Sequence, residues 1–297
     1  MREINNDAAG GRGVASSERR RSGPSRRDVL RLSGVAAVAG GAVAAASGSA
    51  SAGEVKECGD WPDSPDGYPT IDLAEDVPPT WDWYPAEVCI YAHGWKGRET
   101  RDDQAYALDL ELADAGYHEV VVAATWDSDT LNFWGAEGNA DEAGTRLGRW
   151  IRQQFGGTQT TVRLVGHSLG GRLSLNAIDE LDGDVVLETV ALLGAAVEDD
   201  SVCDDGRFAD GIRDSAVDVY NYHSHEDATV CTIYDLSTLG SGVGCAGADC
   251  GGWFTDGETP DNYHDVDVTA SVPDHCAYFD PIREAGCIDR VVADFRE

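Results

Sequence analysis

Residues 161–181 constrain this chain more than any other stretch. Thr161-Val162-Arg163-Leu164-Val165 alternates and branches like a short buried strand. It runs directly into Gly166-His167-Ser168-Leu169-Gly170-Gly171, after which Leu169, Leu173, Ala177 and Leu181 recur at helical spacing. A strand that becomes a helix within so few residues has to turn sharply. Side chains flanking the turn would clash where the two backbones cross, and the glycines remove them. Ser168 is then presented on a rigid tip, at the positive end of the following helix. The bare Gly-x-Ser-x-Gly pattern is weak in a chain with 35 glycines, arising by chance roughly once in four such sequences. The strand before it and the helix after it supply the specificity. The plain alternative is a Gly-rich turn with a surface serine.

Strand-like and helix-like segments alternate along the rest of the chain. A strand at 88–92 runs into the turn His93-Gly94-Trp95-Lys96-Gly97. A helix is predicted over 100–115, with Tyr106, Leu108, Leu110 and Leu112 among the candidates for its buried side. Residues 120–125 form a continuous apolar run suited to a central parallel strand. Trp126-Asp127-Ser128 and a loop holding Phe133 and Trp134 follow, then a second helix over roughly 141–154. Further strands are expected at 185–193 and 217–222. This alternation predicts an α/β domain with a mostly parallel central sheet, helices on both faces and right-handed crossovers. Residues 53–85, rich in Pro, Asp, Trp and Gly, read as an extended N-terminal arm laid over the body. Residues 237–265 break the rhythm and read as an irregular Cys/Gly-rich insert, tied by disulfides and overhanging a pocket.

Val165 through Gly171, together with Cys89-Ile90-Tyr91-Ala92-His93-Gly94-Trp95, resemble the α/β-hydrolase superfamily. Within it they are most similar to lipases and esterases with a Gly-His-Ser-Leu-Gly-Gly nucleophile elbow. The resemblance covers roughly residues 86–297, which it makes the catalytic domain. It implies an α/β-hydrolase fold and a Ser-His-Asp triad that forms an acyl-enzyme, with no cofactor and no metal. The substrate implied is a small-molecule or lipid ester. An amidase, peptidase or thioesterase on the same fold would use the same residues, and a non-catalytic surface protein on a hydrolase scaffold is the reading from a different class.

Ser168 needs a histidine to take its proton and a carboxylate to orient that histidine. The chain order in this fold is serine, acid, histidine. His275, in Pro273-Asp274-His275-Cys276-Ala277-Tyr278-Phe279, resembles the family's late histidine loop, where an aromatic often follows. His264 is the reserve, and His223 and His225 are disfavoured by order. Asp227, after the 217–222 strand, is the preferred acid, with Asp199 and Asp200 as the alternative placement. For the oxyanion hole, the N–H of Leu169 follows the nucleophile, and the loop after residues 88–92 offers that of Trp95.

Charge and cysteine content bound the setting. The chain carries 54 acidic against 22 basic residues. The first 52 residues hold eight arginines and four acids, so the remainder carries 50 acids against 14 bases, a net charge of −36. Phosphate contacts need a basic face, so nucleic acid is excluded as a partner. Self-repulsion on this scale needs screening ions, and the composition reads as adaptation to molar salt. Ser25-Arg26-Arg27-Asp28-Val29-Leu30-Arg31 resembles a twin-arginine export signal, with Val29 in place of the usual Phe or Leu. The Ala/Gly stretch after it is too short and polar to anchor in a membrane, so residues 1–52 read as a signal peptide and the chain as secreted. All eight cysteines lie beyond the signal. In an exported chain they predict up to four disulfides, with Cys89 a candidate free core thiol. The competing reading is a zinc site built from Cys231, Cys245, Cys250 and a histidine.

Overall fold

The computed structural model describes residues 58–59, 61–235, 241–252, 255–280 and 285–296. The twin-arginine segment and Trp253 lie outside them. In chain order the elements are β1 (Thr70–Asp72), β2 (Glu87–Ala92), α1 (Arg101–Asp114), β3 (Val120–Thr125), α2 (Phe133–Phe155), β4 (Thr161–His167), α3 (Leu169–Leu181), β5 (Leu187–Leu193), α4 (Ala209–Ser215), β6 (Ala216–His223), α5 (Ala228–Asp235), α6 (Val243–Ala246), β7 (Gly251–Gly252), β8 (Thr255–Asp256), β9 (Tyr263–Asp267) and α7 (Ile288–Asp294).

Seven strands form one sheet in the order β1-β3-β2-β4-β5-β6-β9, and every neighbouring pair is parallel. Parallel neighbours require a crossover over one face, and the helices supply it. The side-chain period of two then sorts each strand onto two cores. Ile90, Val122, Leu164 and Val190 face a layer containing α2, α3 and α4, where Leu147, Trp150, Leu173, Leu181 and Ile212 are buried. Cys89, Tyr91, Val121, Val165 and Ala191 face the opposite layer with α1 and α7, where Leu108, Leu112, Ile288 and Val291 are buried. Because both faces are covered, nearly every residue of the central strands is buried, and most of them are apolar.

Several elements depart from the sequence reading. The helix after β3 begins at Phe133, not near residue 141, and takes in the expected loop with Phe133 and Trp134. Asn132 caps it by accepting the Gly135 N–H at 2.8 Å, while Ala136, Ala140, Ala143 and Leu147 continue the buried stripe. Leu110 on α1 is exposed, and Gln104, Ala105 and Ala107 share the buried side with Leu108 and Leu112. The N-terminal arm does more than lie over the body, because Thr70–Asp72 pairs with β3 as a sheet edge. The supposed irregular insert contains β7, β8 and the first three residues of β9, the opposite edge strand. Three disulfides join Cys58 to Cys276, Cys203 to Cys250 and Cys231 to Cys245, while Cys89 and Cys287 are free and buried. The three bridges fall within the expected maximum of four, and Cys89 is the free core thiol that its strand position suggested. The zinc alternative fails because Cys231 and Cys245 are oxidised to one another.

Candidate active site

Ser168 follows the last residue of β4 and caps α3 with φ 57° and ψ −124°. A residue with a Cβ reaches this region only under strain that its surroundings have to hold. Here the Ser168 N–H donates to the Leu193 carbonyl, and its own carbonyl accepts from Gly171 and Ala196, each at 3.0 Å. The first turn of α3 lies directly on the tip of β2. A Cβ on Gly170 would sit 2.0 Å from the Ala92 carbonyl oxygen, so only glycine fits there. Gly94 is also pressed close, since a Cβ there would lie 2.8 Å from the Ser168 Cβ.

That contact sets the His93–Gly97 turn against the serine. The turn closes through the Gly97 N–H on the Gly94 carbonyl at 3.2 Å, with Lys96 at φ 58°. His93 is its internal support. The His93 carbonyl accepts the Trp126 indole N–H at 2.9 Å, its ring stacks on Trp126, and Nδ1 lies 2.9 Å from the Gly94 carbonyl. Burial pushes the His93 ring down to about 4, so it is neutral near pH 7. A carbonyl only accepts, so the ring proton sits on Nδ1. Leu169 is the first residue of α3, where a helix has no carbonyl to offer its N–H. Gly94, the residue before Trp95, packs on Ser168, and Leu169 follows the serine in the chain. The Trp95 indole donates to the Thr130 carbonyl at 3.3 Å and meets Phe133 edge-on. Phe133 in turn touches Trp134 and Tyr234, so an aromatic row leads outward from the turn.

Asp227 and His275 come from the loops that follow the neighbouring parallel strands β6 and β9, and they meet there. Asp227 lies in the turn between β6 and α5 and is fully buried. Its Oδ1 accepts the Val230 N–H at 3.1 Å, and its Oδ2 lies 2.7 Å from His275 Nδ1 and accepts the Tyr278 hydroxyl at 3.2 Å. Burial opposes its charge, but the His275 ring and the Val230 N–H outweigh it and hold the carboxyl below the ordinary range. His275 sits in the loop after β9, next to the Cys58–Cys276 bridge. His167, the neighbour of Ser168, reaches the His275 backbone, with Nε2 2.8 Å from its carbonyl oxygen and ring centroids 4.6 Å apart. That contact ties the serine's strand to the histidine's loop.

The competing residues are occupied elsewhere. The Asp199 carboxylate accepts the N–H and O–H of Ser241 at 2.8 and 3.1 Å, and it follows β5, as does its neighbour Asp200. His264 lies on edge strand β9 with Nε2 2.9 Å from Asp218. His223 and His225 pack on one another at the end of β6. Sequence reasoning missed His93, His167 and Tyr278. Tyr278 had a signal in the aromatic pattern after His275, and His93 one in its glycine; His167 had none.

A parallel sheet in this order, with a serine at a strained strand-to-helix turn on its central strand, defines the α/β-hydrolase fold. No family model matches the chain, and no curated protein matches it. Among solved structures it is similar to a lipase-esterase related protein from Clostridium acetobutylicum ATCC 824, at 10% identity and a TM-score of 0.40, over 71% of this chain and 93% of that one. It is also similar to the ydeN gene product from B. subtilis, at 16% identity and a TM-score of 0.39, over 71% of this chain and 98% of that one. Likeness at this level carries nothing about the reaction, and the fold stands on the strand order and the elbow.

Proposed function

We propose that this chain is an exported, salt-dependent serine hydrolase that cleaves carboxylic esters, a lipase or esterase. The observation that carries the reading is the buried Asp227–His275 pair, 2.7 Å apart, whose histidine backbone is hydrogen-bonded to His167, the residue before a serine on a strained elbow. In this mechanism Ser168 Oγ attacks the ester carbonyl while His275 Nε2 takes its proton. Asp227 keeps the proton of His275 on Nδ1 and stabilises the imidazolium that forms. The Trp95 and Leu169 N–H groups bind the oxyanion, and the alkoxide leaves with the proton from His275. Water then repeats the cycle on the acyl-enzyme. The aromatic row from Trp95 to Trp134 suits an apolar acyl group better than a charged one. Export is supported by the three disulfides, which persist in an oxidising setting, and by the twin-arginine pattern at residues 25–31.

The test is direct. A fluorophosphonate should label wild-type protein at Ser168 alone, and a series of p-nitrophenyl esters should be turned over with a chain-length optimum. Ser168→Ala should abolish both, with a loss of about 10⁴- to 10⁶-fold in turnover. Normal turnover by pure Ser168→Ala protein sinks the reading.

A further inference from the structure

We propose that His167, the residue before the serine in the Gly-x-Ser-x-Gly turn, is a positioning residue that holds the main chain of His275 in place for proton transfer. The inference rests on the reading of Ser168 and His275 as nucleophile and base.

The geometry leaves His167 one role for its ring proton. Its Nε2 is 2.8 Å from the His275 carbonyl oxygen. A carbonyl cannot donate, so the proton sits on Nε2 and is given to that oxygen. The ring is buried, packed 4.6 Å from the His275 ring and 5.5 Å from Phe279. The titratable groups around it are His275, Asp227, His93 and Tyr278. Burial, with His275 adding to it, pushes His167 down to about 3, so it is a neutral donor throughout the range in which an ester hydrolase works.

Neutrality matters because of what His275 becomes. When it takes the serine proton it is an imidazolium, with the His167 ring against it. A second cation there would oppose the transfer, whereas a neutral ring does not. The contact also joins two parts of the site that share no element. His167 ends β4, from which Ser168 hangs, while His275 lies 108 residues later in the loop after β9. One hydrogen bond therefore couples the position of the base to that of the nucleophile. Asp227 fixes the ring of His275 by its Nδ1, and His167 fixes the backbone that carries it.

Three substitutions separate donor from bulk. His167→Leu keeps apolar volume without a donor; His167→Gln places an amide N–H near the position of Nε2; His167→Asn is too short to reach. In p-nitrophenyl butyrate hydrolysis at molar salt, His167→Leu and His167→Asn should lose about ten- to a hundredfold in kcat, with KM little changed. The acidic limb of their kcat/KM profile should move, since His275 is no longer held in one setting. His167→Gln should recover most of the rate and the wild-type limb. Wild-type rate and profile in His167→Leu overturns the proposal. So does an equal loss in all three variants, which would make the role one of packing. If His167→Leu does not fold, the Gln and Asn pair decides by the same comparison: Gln active and Asn impaired supports the proposal, equal rates overturn it. Fluorophosphonate labelling of wild-type Ser168 is measured alongside. Its absence removes the triad reading itself, whereas normal labelling with indifferent His167 variants removes this inference alone.

Discussion

Removing the Cys58–Cys276 disulfide should cost stability and, separately, turnover. The two cysteines are 218 residues apart. Loop-closure entropy for a cross-link of that span gives a ceiling of about 5 kcal/mol at 25 °C, and measured losses usually run to about 2–4. The Cys203–Cys250 bridge short-circuits 47 of those residues, but the dependence is logarithmic and lowers the ceiling by only ~0.2 kcal/mol. The assay is urea unfolding of Cys58→Ala/Cys276→Ala protein against wild type, at one molar salt concentration. With a slope near 3 kcal/mol/M, a loss of about 3 kcal/mol moves the midpoint down by about 1 M. Turnover is then measured at 25 °C well below that midpoint, where both proteins are folded. Cys276 is the residue after His275, so a freed loop lets the base drift, and kcat should fall by roughly tenfold. The loss should be partial, because Asp227 and His167 still hold His275. A midpoint within about 0.3 M of wild type, together with unchanged kcat, refutes the reasoning.

Acid should begin to destabilise the protein from about pH 6.5 downward, well above the carboxylate range. Burial depresses His93 to about 4 and His167 to about 3, so below 6.5 the unfolded chain binds protons that the folded chain refuses. Each should cost about 2–3 kcal/mol by pH 4.5, whereas Asp227 and Asp141, held low, withdraw their contribution only below about 4; a urea midpoint flat from pH 7 to 4.5 contradicts this. Arg172 is 2% exposed on α3 and meets Glu137, Asp141 and Glu198 at 2.9, 2.6 and 2.8 Å. Arg172→Met should therefore lose about 3–5 kcal/mol in thermal or urea melts, and Arg172→Lys should recover little of it, since one ammonium cannot replace the guanidinium fork. Stability and activity should rise together up to molar salt, where the Debye length falls to about 3 Å and screens the excess of acids. Replacing about a dozen exposed acids away from Ser168 with Asn or Gln should lower the salt required; equal folding of wild type at about 0.1 M salt refutes the screening account.

What the sequence determined by itself was local. The branched run before Gly166, the close approach of Gly166 to the Gly170 carbonyl and the helical spacing after Ser168 all act within a few residues. They therefore survive without knowledge of the fold, and the strand-turn-helix at 161–181 was legible from them. Alternation of such segments was enough for a parallel α/β sheet, because few other arrangements bury both faces of every strand.

Tertiary structure decided whatever depends on partners far apart in the chain. Thr70–Asp72 and Tyr263–Asp267 are strands only because β3 and β6 offer them an unpaired edge, and short segments take strand form from such neighbours rather than from intrinsic preference. The meeting of His275 with Asp227, rather than Asp199, is a choice among 54 acids, settled by which turn lies at the end of β6. Cysteine pairing likewise follows from which chain segments the sheet brings within bonding distance, while Cys89 and Cys287 are free thiols buried in the core. His167 carries no signal of its own in the sequence beyond its place between glycine and serine. Its contact with a carbonyl 108 residues away exists only once the sheet has closed, since a hydrogen bond across that span needs both backbones already fixed before it gains more than it costs in entropy.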